Sequence, residues 1–316
     1  MVFNVHVPVL CKEALNALNV KPNAIVIDMT LGRAGHASKL LSKIPSGHLY
    51  ACDKDSYALE YSQEVLSQIG SNFTLYHCPF SQMVSRLKED GVKGADAILM
   101  DIGVSSPQFD DASRGFSYRY NARLDMRMDL SQELDAYQVV NTYSEKQLEE
   151  IISEYGEDPS ARKIAHSICQ MRQNKPIETT FELVEAIKSA LPAFVLNKKG
   201  HPAKQTFQAI RYEVNKEKDE LIAGLKTGLD FLNVGGRLAI ITFNSFEDRI
   251  VKRIFNSLTS YPSYSRHIPV PVQDELEYKL ITKKPIEPSE EEINKNPRSK
   301  PAKLRAIERK KAPCSK

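Results

Sequence analysis

Short apolar runs alternate with amphipathic stretches over roughly the first third of the chain. The runs predict four strands, at Ala24–Asp28, His48–Asp53, Phe73–His77 and Ala95–Asp101. The intervening stretches predict helices near residues 35–43, 56–68 and 80–88. Strands that alternate with helices of this length are typical of an α/β fold with a parallel, doubly wound sheet. In such sheets ligands bind beyond the carboxyl ends of the strands.

The alternation stops after the fourth strand, because residues 110–199 show helical periodicity and no convincing strand. Capping sequences mark the helix starts: Ser144 opens S-E-K-Q, and Thr179 opens T-T-F-E. Asp158 followed by Pro159 predicts an N-cap with proline at the first helical position. We therefore expect an inserted helical domain that either faces the substrate or only stabilises the fold.

The sheet pattern resumes after the insertion. We expect a long helix over Ala203–Leu232 with a break near Gly224 or Gly228, a turn at 233–236, a buried strand Arg237–Phe243, a helix Phe246–Leu258 and a last strand Tyr278–Lys283. The predicted organisation is a sheet domain (1–109 and 200–285), an inserted helical substrate domain (110–199) and a basic C-terminal tail (286–316).

Composition adds a partner class to this picture. The chain has 316 residues, 41% of them hydrophobic, which is enough for a sizeable core. The net charge is +3, yet nine of the residues from Lys295 to Lys316 are Lys or Arg and one is acidic. A basic tail suits a polyanion such as RNA. The alternative is a disordered end that serves solubility.

Cysteine usage and hydropathy indicate the compartment. The five cysteines show no C-x-x-C pairing, so neither a zinc site nor a disulfide framework is indicated. No apolar run approaches the length of about 18 residues that a membrane span needs, and the N-terminus lacks a signal h-region. We expect a cytoplasmic protein, or one in an equivalent reducing compartment, with no membrane partner.

The turn after the first strand is the first candidate ligand site. It reads G-R-A-G at Gly32–Gly35, a weak version of a dinucleotide-binding turn. Asp53, about 20 residues on, could accept hydrogen bonds from a ribose diol. Asp28 would repel a pyrophosphate but suits a cationic group, such as the amino-acid end of S-adenosylmethionine. An ordinary βα turn and a nicotinamide-dependent oxidoreductase are the alternatives.

The loop after the fourth strand, D-I-G-V-S-S-P-Q at 101–108, is the candidate catalytic segment. Asp101 could accept a hydrogen bond from an amine, and Ser105, Ser106 and Pro107 could present backbone carbonyls to a base. An exocyclic amine attacks poorly because its lone pair is delocalised into the ring. Acceptors that hold its protons help to localise and align that pair. A simple proline turn is the alternative.

A helix in the resumed pattern carries a candidate RNA-binding face. Lys204 and Arg211 are seven residues apart, about two helical turns, with Phe207 between them. A cation, an aromatic ring and a second cation on one face suit phosphate contact and base stacking with single-stranded RNA, although a core position is the commoner role for a residue such as Phe207. The run Leu124–Asp129 alternates acids with an arginine, which indicates either a structural ion-pair cluster or a substrate clamp.

Together these segments resemble one family, the bacterial small-subunit rRNA cytosine-N(4) methyltransferases, called RsmH or MraW. The matching segments are H-V-P-V-L at His6, D-M-T-L-G-R-A-G-H at Asp28, D-I-G-V-S-S-P-Q-F-D at Asp101, R-G-F-S-Y at Arg114, L-D-M-R-M-D at Leu124, H-P-A-K at His201, T-F-Q-A-I-R at Thr206, S-F-E-D-R-I-V-K at Ser245 and N-P-R-S-K-P-A-K-L-R at Asn296. They run through nearly the whole chain in order.

The resemblance implies a Rossmann-like class I methyltransferase that uses S-adenosyl-L-methionine and requires no metal. Its implied substrate is one cytosine in the decoding region of 16S rRNA, in free RNA or in a 30S particle, and its oligomeric state, monomer or homodimer, stays open. The implied cofactor contacts are Ala34, Gly35, His36, Asp53, Phe80, Asp101 and Gln108. We expect Lys204, Phe207, Arg211, Arg298, Lys303 and Arg305 to contact the RNA.

The sequence departs from the family pattern at Ala34, at residues 121–123, at Gln205 and at Asn244. Asn244 stands where the family has a histidine, and Ala34 where it usually has a second glycine. These two departures motivate an alternative function: a non-catalytic RNA-binding or ribosome-assembly paralogue that keeps the cofactor fold.

Overall fold

The computed structural model describes residues 8–103, 109–261 and 275–311. It divides into two compact units, with the breaks between residues 103 and 104 and between 219 and 220. The second unit therefore begins before residue 110 and ends after residue 199, the bounds that the sequence predicted. Within the described ranges, no helix combines the length and the apolarity needed to cross a bilayer.

The first unit is built on a seven-stranded sheet. Its strands are β1 Ile25–Asp28, β2 His48–Asp53, β3 Phe73–His77, β4 Ala95–Asp101, β5 Leu232–Thr242, β6 Tyr278–Leu280 and β7 Lys303–Arg309. The strand order is β3-β2-β1-β4-β5-β7-β6. Strands β1 to β5 pair in parallel, whereas β7 is antiparallel to both β5 and β6. This confirms the predicted doubly wound α/β fold.

The described helices agree with the predicted periodicity in most places. In chain order they are α1 Cys11–Leu18, α2 Gly35–Leu41, α3 Ser56–Ser67, α4 Phe80–Glu89, α5 Ala136–Thr142, α6 Glu145–Gly156, α7 Ala161–Asn174, α8 Thr180–Ser189, α9 Ala193–Leu196, α10 Lys204–Asn215, α11 Glu217–Phe231, α12 Ser245–Thr259 and α13 Glu290–Lys295. The capping boxes predicted at Ser144 and Thr179 are both formed.

The central strands bury both of their faces. In β4, Ala97 and Leu99 belong to the cluster that contains α1 and α2, while Ile98 and Met100 belong to the cluster that contains α4 and α11. Successive strand residues point to opposite faces, so each strand contributes to two cores. This explains why the strands read as continuous apolar runs, and it leaves the strand ends as the places for polar chemistry.

The predicted basic tail is wrong over residues 303–309, because this stretch is β7. Its inner residues Leu304, Ala306 and Ile307 are fully buried, and the strand lies between β5 and β6. Tyr278–Lys283 is therefore not the last strand. The cations at Lys303 and Arg305 alternate with these apolar residues, and that period of two was hidden by counting charge alone.

The structure differs from the sequence prediction at one turn and at one helix break. The turn predicted at 233–236 lies within β5, at a register shift opposite Ala95 and Ala97, where Gly235 has φ 83°. The helix predicted over Ala203–Leu232 breaks at Lys216, with φ 51°, and not at the two glycines.

The predicted cap of α7 is also displaced. Ser160 is the N-cap, and the Asp158 carboxylate accepts a hydrogen bond from the Ser160 N–H at 2.9 Å. The acid therefore stabilises the turn that leads into the helix and does not cap the helix itself. Local sequence gave the right side-chain type for this role but missed the helix start by two positions.

The run Leu124–Asp129 is a structural cluster of the second unit. Arg127 pairs with Asp125 through two hydrogen bonds of 2.9 and 2.8 Å. The buried Asn215 accepts from the Met128 N–H and donates to the Met126 carbonyl, each at 2.8 Å. Of the two interpretations from sequence, these contacts support the structural one.

Candidate active site

Three acids end three neighbouring strands at the same edge of the sheet. Asp53 ends β2, Asp28 ends β1 and Asp101 ends β4, and these strands are adjacent and parallel. Because the carboxyl ends of parallel strands meet at one edge, the three acids form one cluster. The sequence predicted these three positions.

The turn after β1 ties the three strand ends together. The Thr30 N–H donates to Asp28 Oδ1 at 3.1 Å, and the Thr30 hydroxyl accepts from the Asp101 N–H at 2.5 Å. The Gly32 N–H donates to Asp53 Oδ2 at 2.8 Å. Gly32 has φ 50°, a left-handed conformation that glycine adopts without steric penalty. The turn therefore fixes the acids relative to one another.

Two carboxyl oxygens of this cluster have no partner among the described residues. Asp28 Oδ2 and Asp101 Oδ1 are buried and accept no hydrogen bond there. Burial, and then the charge of Asp53, raise the pKa of Asp28 to about 7. Burial, then Asp28 and Glu247, raise the pKa of Asp101 to about 8. Buried acceptors without donors are unfavourable, so this edge suits a ligand that brings positive charge or N–H groups.

Asp53 has a different environment. Its carboxylate accepts from the Gly32 N–H at 2.8 Å and from the Asp55 N–H at 2.9 Å. Burial raises its pKa. Each carboxylate oxygen keeps a second lone pair, so Asp53 can still accept hydrogen bonds from a diol.

His36 lies beside Asp101. Its Nε2 is 3.0 Å from the Val9 carbonyl oxygen, and its Nδ1 is 3.4 Å from Asp101 Oδ2. A carbonyl oxygen can only accept, so Nε2 carries a proton, and Nδ1 is the ring nitrogen that faces Asp101. His36 is buried and therefore contacts the acid cluster from within the fold.

The other predicted cofactor residues of the first unit line the starts of helices. Ala34 is the fully buried N-cap of α2 with φ 56°, so its methyl group packs into the core. Gly35 lies under Pro8, and an added Cβ would come within 3.1 Å of the proline Cβ. Phe80 begins α4 with its ring against Gly224 of α11, where a larger residue would clash with it.

Several predicted residues lie outside the described part of the chain. These are Ser105, Ser106 and Pro107 of the candidate catalytic segment, the cofactor residue Gln108, and His6 of the first family motif.

Most of the predicted RNA-binding face of α10 is buried or paired with an acid. Phe207 is 4% exposed and belongs to the core of the second unit. Arg211 pairs with Glu217 through hydrogen bonds of 2.7 and 2.9 Å, and both side chains are largely buried. Lys204 is exposed, as an RNA contact requires. The seven-residue spacing described a helix face correctly but gave no information about what covers it.

Of the three RNA contacts predicted in the C-terminal stretch, one is buried in an ion pair and two are exposed. Arg305 pairs with Asp248 at 2.7 and 3.1 Å and is 12% exposed, which leaves little of its side chain open to RNA. Lys303 lies 3.8 Å from the same carboxylate and is 36% exposed. Arg298 is exposed.

Sequence reasoning missed two residues that shape the acid cluster, Thr30 and Glu247. Glu247 is almost fully buried, accepts from the Phe243 N–H at 2.7 Å and helps to raise the pKa of Asp101. Asn244 caps α12 by accepting from the Glu247 N–H at 2.9 Å. The spacing N-x-x-E before an apolar helix is a capping-box signal that could have identified this pair. Although Asn244 stands where the family has a histidine, it forms a helix cap.

The raised pKa values predict how stability depends on pH. Folded Asp28 and Asp101 hold protons up to about pH 7 and 8, whereas the ordinary pKa of an aspartate is 3.8. The folded state therefore binds more protons between about pH 5 and 8, and stability should fall over this range by about 1.4 kcal/mol per pH unit for each proton that only the folded state holds, roughly 6 kcal/mol for the two groups together. Urea unfolding across this range tests it. Asp28→Asn should make the free energy of unfolding depend less steeply on pH. A wild-type protein that becomes more stable from pH 5 to 8 would contradict the raised pKa values.

Comparison with known proteins extends this picture to the whole chain. A family model described as the MraW methylase family matches residues 4–310. The Ribosomal RNA small subunit methyltransferase H of Mycoplasma mycoides is 49% identical over 307 residues, covering 96% of this chain and 99% of that protein. Its namesake in Oenococcus oeni is 49% identical over 309 residues, covering 96% and 98%. That of Clostridioides difficile is 47% identical over 306 residues, covering 96% and 98%.

Proposed function

This chain belongs to the MraW methylase family, and from that membership we propose that it methylates small-subunit ribosomal RNA with S-adenosylmethionine as the donor. The finer proposal is transfer to the exocyclic N(4) of one cytosine in the decoding region of 16S rRNA. Relatives at 47–49% identity carry a name that states the rRNA substrate. A substrate in ribosomal RNA implies action in the cytoplasm.

The observation that carries the proposal is the cluster of strand-end acids, two oxygens of which have no partner in the part of the chain that the structure describes. The donor, when bound, supplies a methyl group already activated on a positively charged sulfur. Asp53 would accept from its ribose diol, and Asp28 would face its cationic amino-acid end. Asp101, next along the edge, would accept a proton of the cytosine amine and so help to align the nitrogen lone pair.

The remaining predicted contacts stay proposals on sequence grounds. We keep Ser105, Ser106 and Pro107 as an amine-orienting segment and Gln108 as a cofactor contact. Ala34, Gly35, His36 and Phe80 are kept as cofactor contacts, in which Ala34 would contribute its backbone because its methyl group is buried.

The function is tested by mapping methylcytosine in 16S rRNA from cells with and without the gene. N(4)-methylcytosine at one decoding-region site should disappear without the gene and return with the wild-type chain. Single-turnover transfer to undermethylated 30S particles and to deproteinised rRNA then identifies the substrate form. Binding of both donor and RNA without any transfer would favour the non-catalytic paralogue.

We further propose that the RNA contact surface lies around α9, since most of the predicted face on α10 is covered. The stretch from Ala186 to Tyr212 contains five Lys or Arg and no acid. Within it Phe194 is 68% exposed, with the Lys198 ammonium 5.9 Å from its ring centroid. An exposed aromatic ring beside lysines that form no ion pair within the described ranges is suited to stacking a base and holding its phosphates.

A stacked ring pair includes His201 of the same stretch. His201 stacks on Tyr118 with 4.1 Å between ring centroids. Burial, and then the nearby cations Lys188 and Arg119, lower the pKa of His201. The ring is therefore neutral near pH 7, and the two cations that surround it add to the attraction for a polyanion.

Phe194→Ala is expected to weaken binding of a single-stranded decoding-region RNA roughly tenfold, because one stacking contact is lost. Replacing Lys198 and Lys199 with glutamine should reduce the salt dependence of log K by about 1.4, roughly 0.7 for each lost phosphate contact. Fluorescence anisotropy at several salt concentrations measures both effects.

Phe181→Ala is the matched control, since Phe181 is 45% exposed in the same unit but is followed by Glu182 and Glu185. Its RNA affinity should stay at the wild-type value. Equal losses for the two phenylalanine variants, or no loss for either, would contradict the proposed surface.

A further inference from the structure

Residues far apart in sequence meet beside His36. The Leu10 N–H donates to Glu292 Oε1 at 2.8 Å, across 282 positions of the chain. The neighbouring Val9 carbonyl accepts from His36 Nε2 at 3.0 Å, and His36 Nδ1 lies 3.4 Å from Asp101 Oδ2. One line of contacts therefore runs from the first turn of α13, through the Val9–Leu10 peptide, to the acid that ends β4.

The backbone at Leu10 needs such an external contact. Leu10 has φ 52° and ψ 32°, a left-handed conformation that is unfavourable for leucine, and no side chain caps α1 there. Its side chain is 1% exposed, so the conformation is fixed inside the core. The backbone of Glu292 is held in the first turn of α13, since its N–H donates to the Ser289 hydroxyl at 3.2 Å. Its side-chain carboxylate thus reaches a strained peptide from a helical position.

We propose that Glu292 is a positioning residue for the methyl-donor cleft, acting through the Val9–Leu10 peptide to orient His36 against Asp101. The role of Asp101 in this inference rests on the proposed function, whereas the line of contacts from Glu292 to Asp101 is observed independently of it. If the Glu292 carboxylate is removed, the peptide can rotate, and the Val9 carbonyl no longer selects the Nε2–H form of His36. The ring would then lose its fixed orientation beside the acid cluster.

The full-length chain tests this with Glu292→Ala and Glu292→Gln. Imidazole ¹⁵N shifts, with His36 assigned by a His36→Gln variant, report the ring tautomer without any ligand. We expect the Nε2–H form in wild type and in Glu292→Gln, whose amide oxygen can still accept from Leu10. Glu292→Ala should give a mixture of tautomers, and its Kd for S-adenosylhomocysteine should rise about tenfold.

Glu291→Ala is the matched control, because Glu291 is 78% exposed and pairs only with Lys295 among the described residues. Its tautomer and Kd should match wild type. A wild-type tautomer and Kd in Glu292→Ala, or the same changes in Glu291→Ala, would overturn the positioning role. Failure of the wild-type chain to bind S-adenosylhomocysteine would refute the proposed function, and the tautomer comparison would still decide the role of Glu292.

Discussion

Replacing Asp101 with asparagine is expected to lower kcat/KM for methyl transfer by at least about two orders of magnitude, the loss typical when one aligned polar group is removed from a reacting centre. The substitution keeps the shape of the side chain but replaces one acceptor oxygen with an N–H₂ group. That group would point a donor at an amine that itself donates. Single-turnover methylation of undermethylated 30S particles measures the effect on the chemical step.

Stability gives this prediction a second readout. Burial and the nearby acids raise the pKa of Asp101 to about 8, so an ionised carboxylate is unfavourable there. A neutral asparagine removes that penalty, and Asp101→Asn should be at least as stable as wild type at about pH 8. Lost activity in a protein of unchanged or higher stability separates a role in the reaction from a role in folding.

Asp96→Asn is the control from the opposite end of β4. The Asp96 carboxylate accepts from the Ile25 N–H and from the Asn233 side chain, each at 2.8 Å. Its replacement should lower stability and leave kcat within about twofold, because these contacts lie at the amino end of the strand. A similar loss of kcat in both variants would show that Asp101 acts through the fold alone.

Ending the chain after Ala302 is expected to prevent folding of the sheet unit. The truncation removes β7 and with it three fully buried apolar side chains and the pairing of both β5 and β6. Each buried Leu or Ile contributes about 1.5–3 kcal/mol, and a folded domain has only about 5–15 kcal/mol in total. Loss of a cooperative thermal transition and of S-adenosylhomocysteine binding are the expected results.

A chain ending after Lys311 is the matched truncation, since it retains β7 and the hydrogen bond from Arg309 to the Lys311 carbonyl. It should melt within a few degrees of the full-length chain. If the chain ending at residue 302 melts there too, β7 is dispensable and the burial of Leu304 and Ile307 has been overvalued.

The sheet edge could be predicted from the sequence because its signals are local. Each of β1, β2 and β4 is a short apolar run closed by an aspartate, and a parallel sheet places all such ends together. No tertiary information was needed to bring Asp28, Asp53 and Asp101 to one site. Their pairing partners, by contrast, depend on the turn at Thr30 and on Glu247, which comes from a distant part of the chain.

Two of the predicted RNA contacts, Arg211 and Arg305, were chosen on the assumption that an arginine in this sequence carries a charge free to bind phosphate. Arg211 and Arg305 were assigned to RNA, yet each pairs with a buried acid. The acids that pair with them, Glu217 and Asp248, are separated from these arginines by six and 57 positions, so no local pattern links them. The break at Lys216 is similar, because a left-handed lysine follows from packing and not from its own preference.

The sheet order has a consequence for synthesis on the ribosome. β5 pairs on one side with β4, which is made more than a hundred residues earlier, and on the other side with β7, which is made some sixty residues later. While the chain is emerging, the edge of β4 therefore stays unpaired until β5 has been made, and the other edge of β5 stays unpaired until β7 has been made. Open strand edges recruit other chains, so the nascent protein should depend on chaperones until residue 309 has left the exit tunnel.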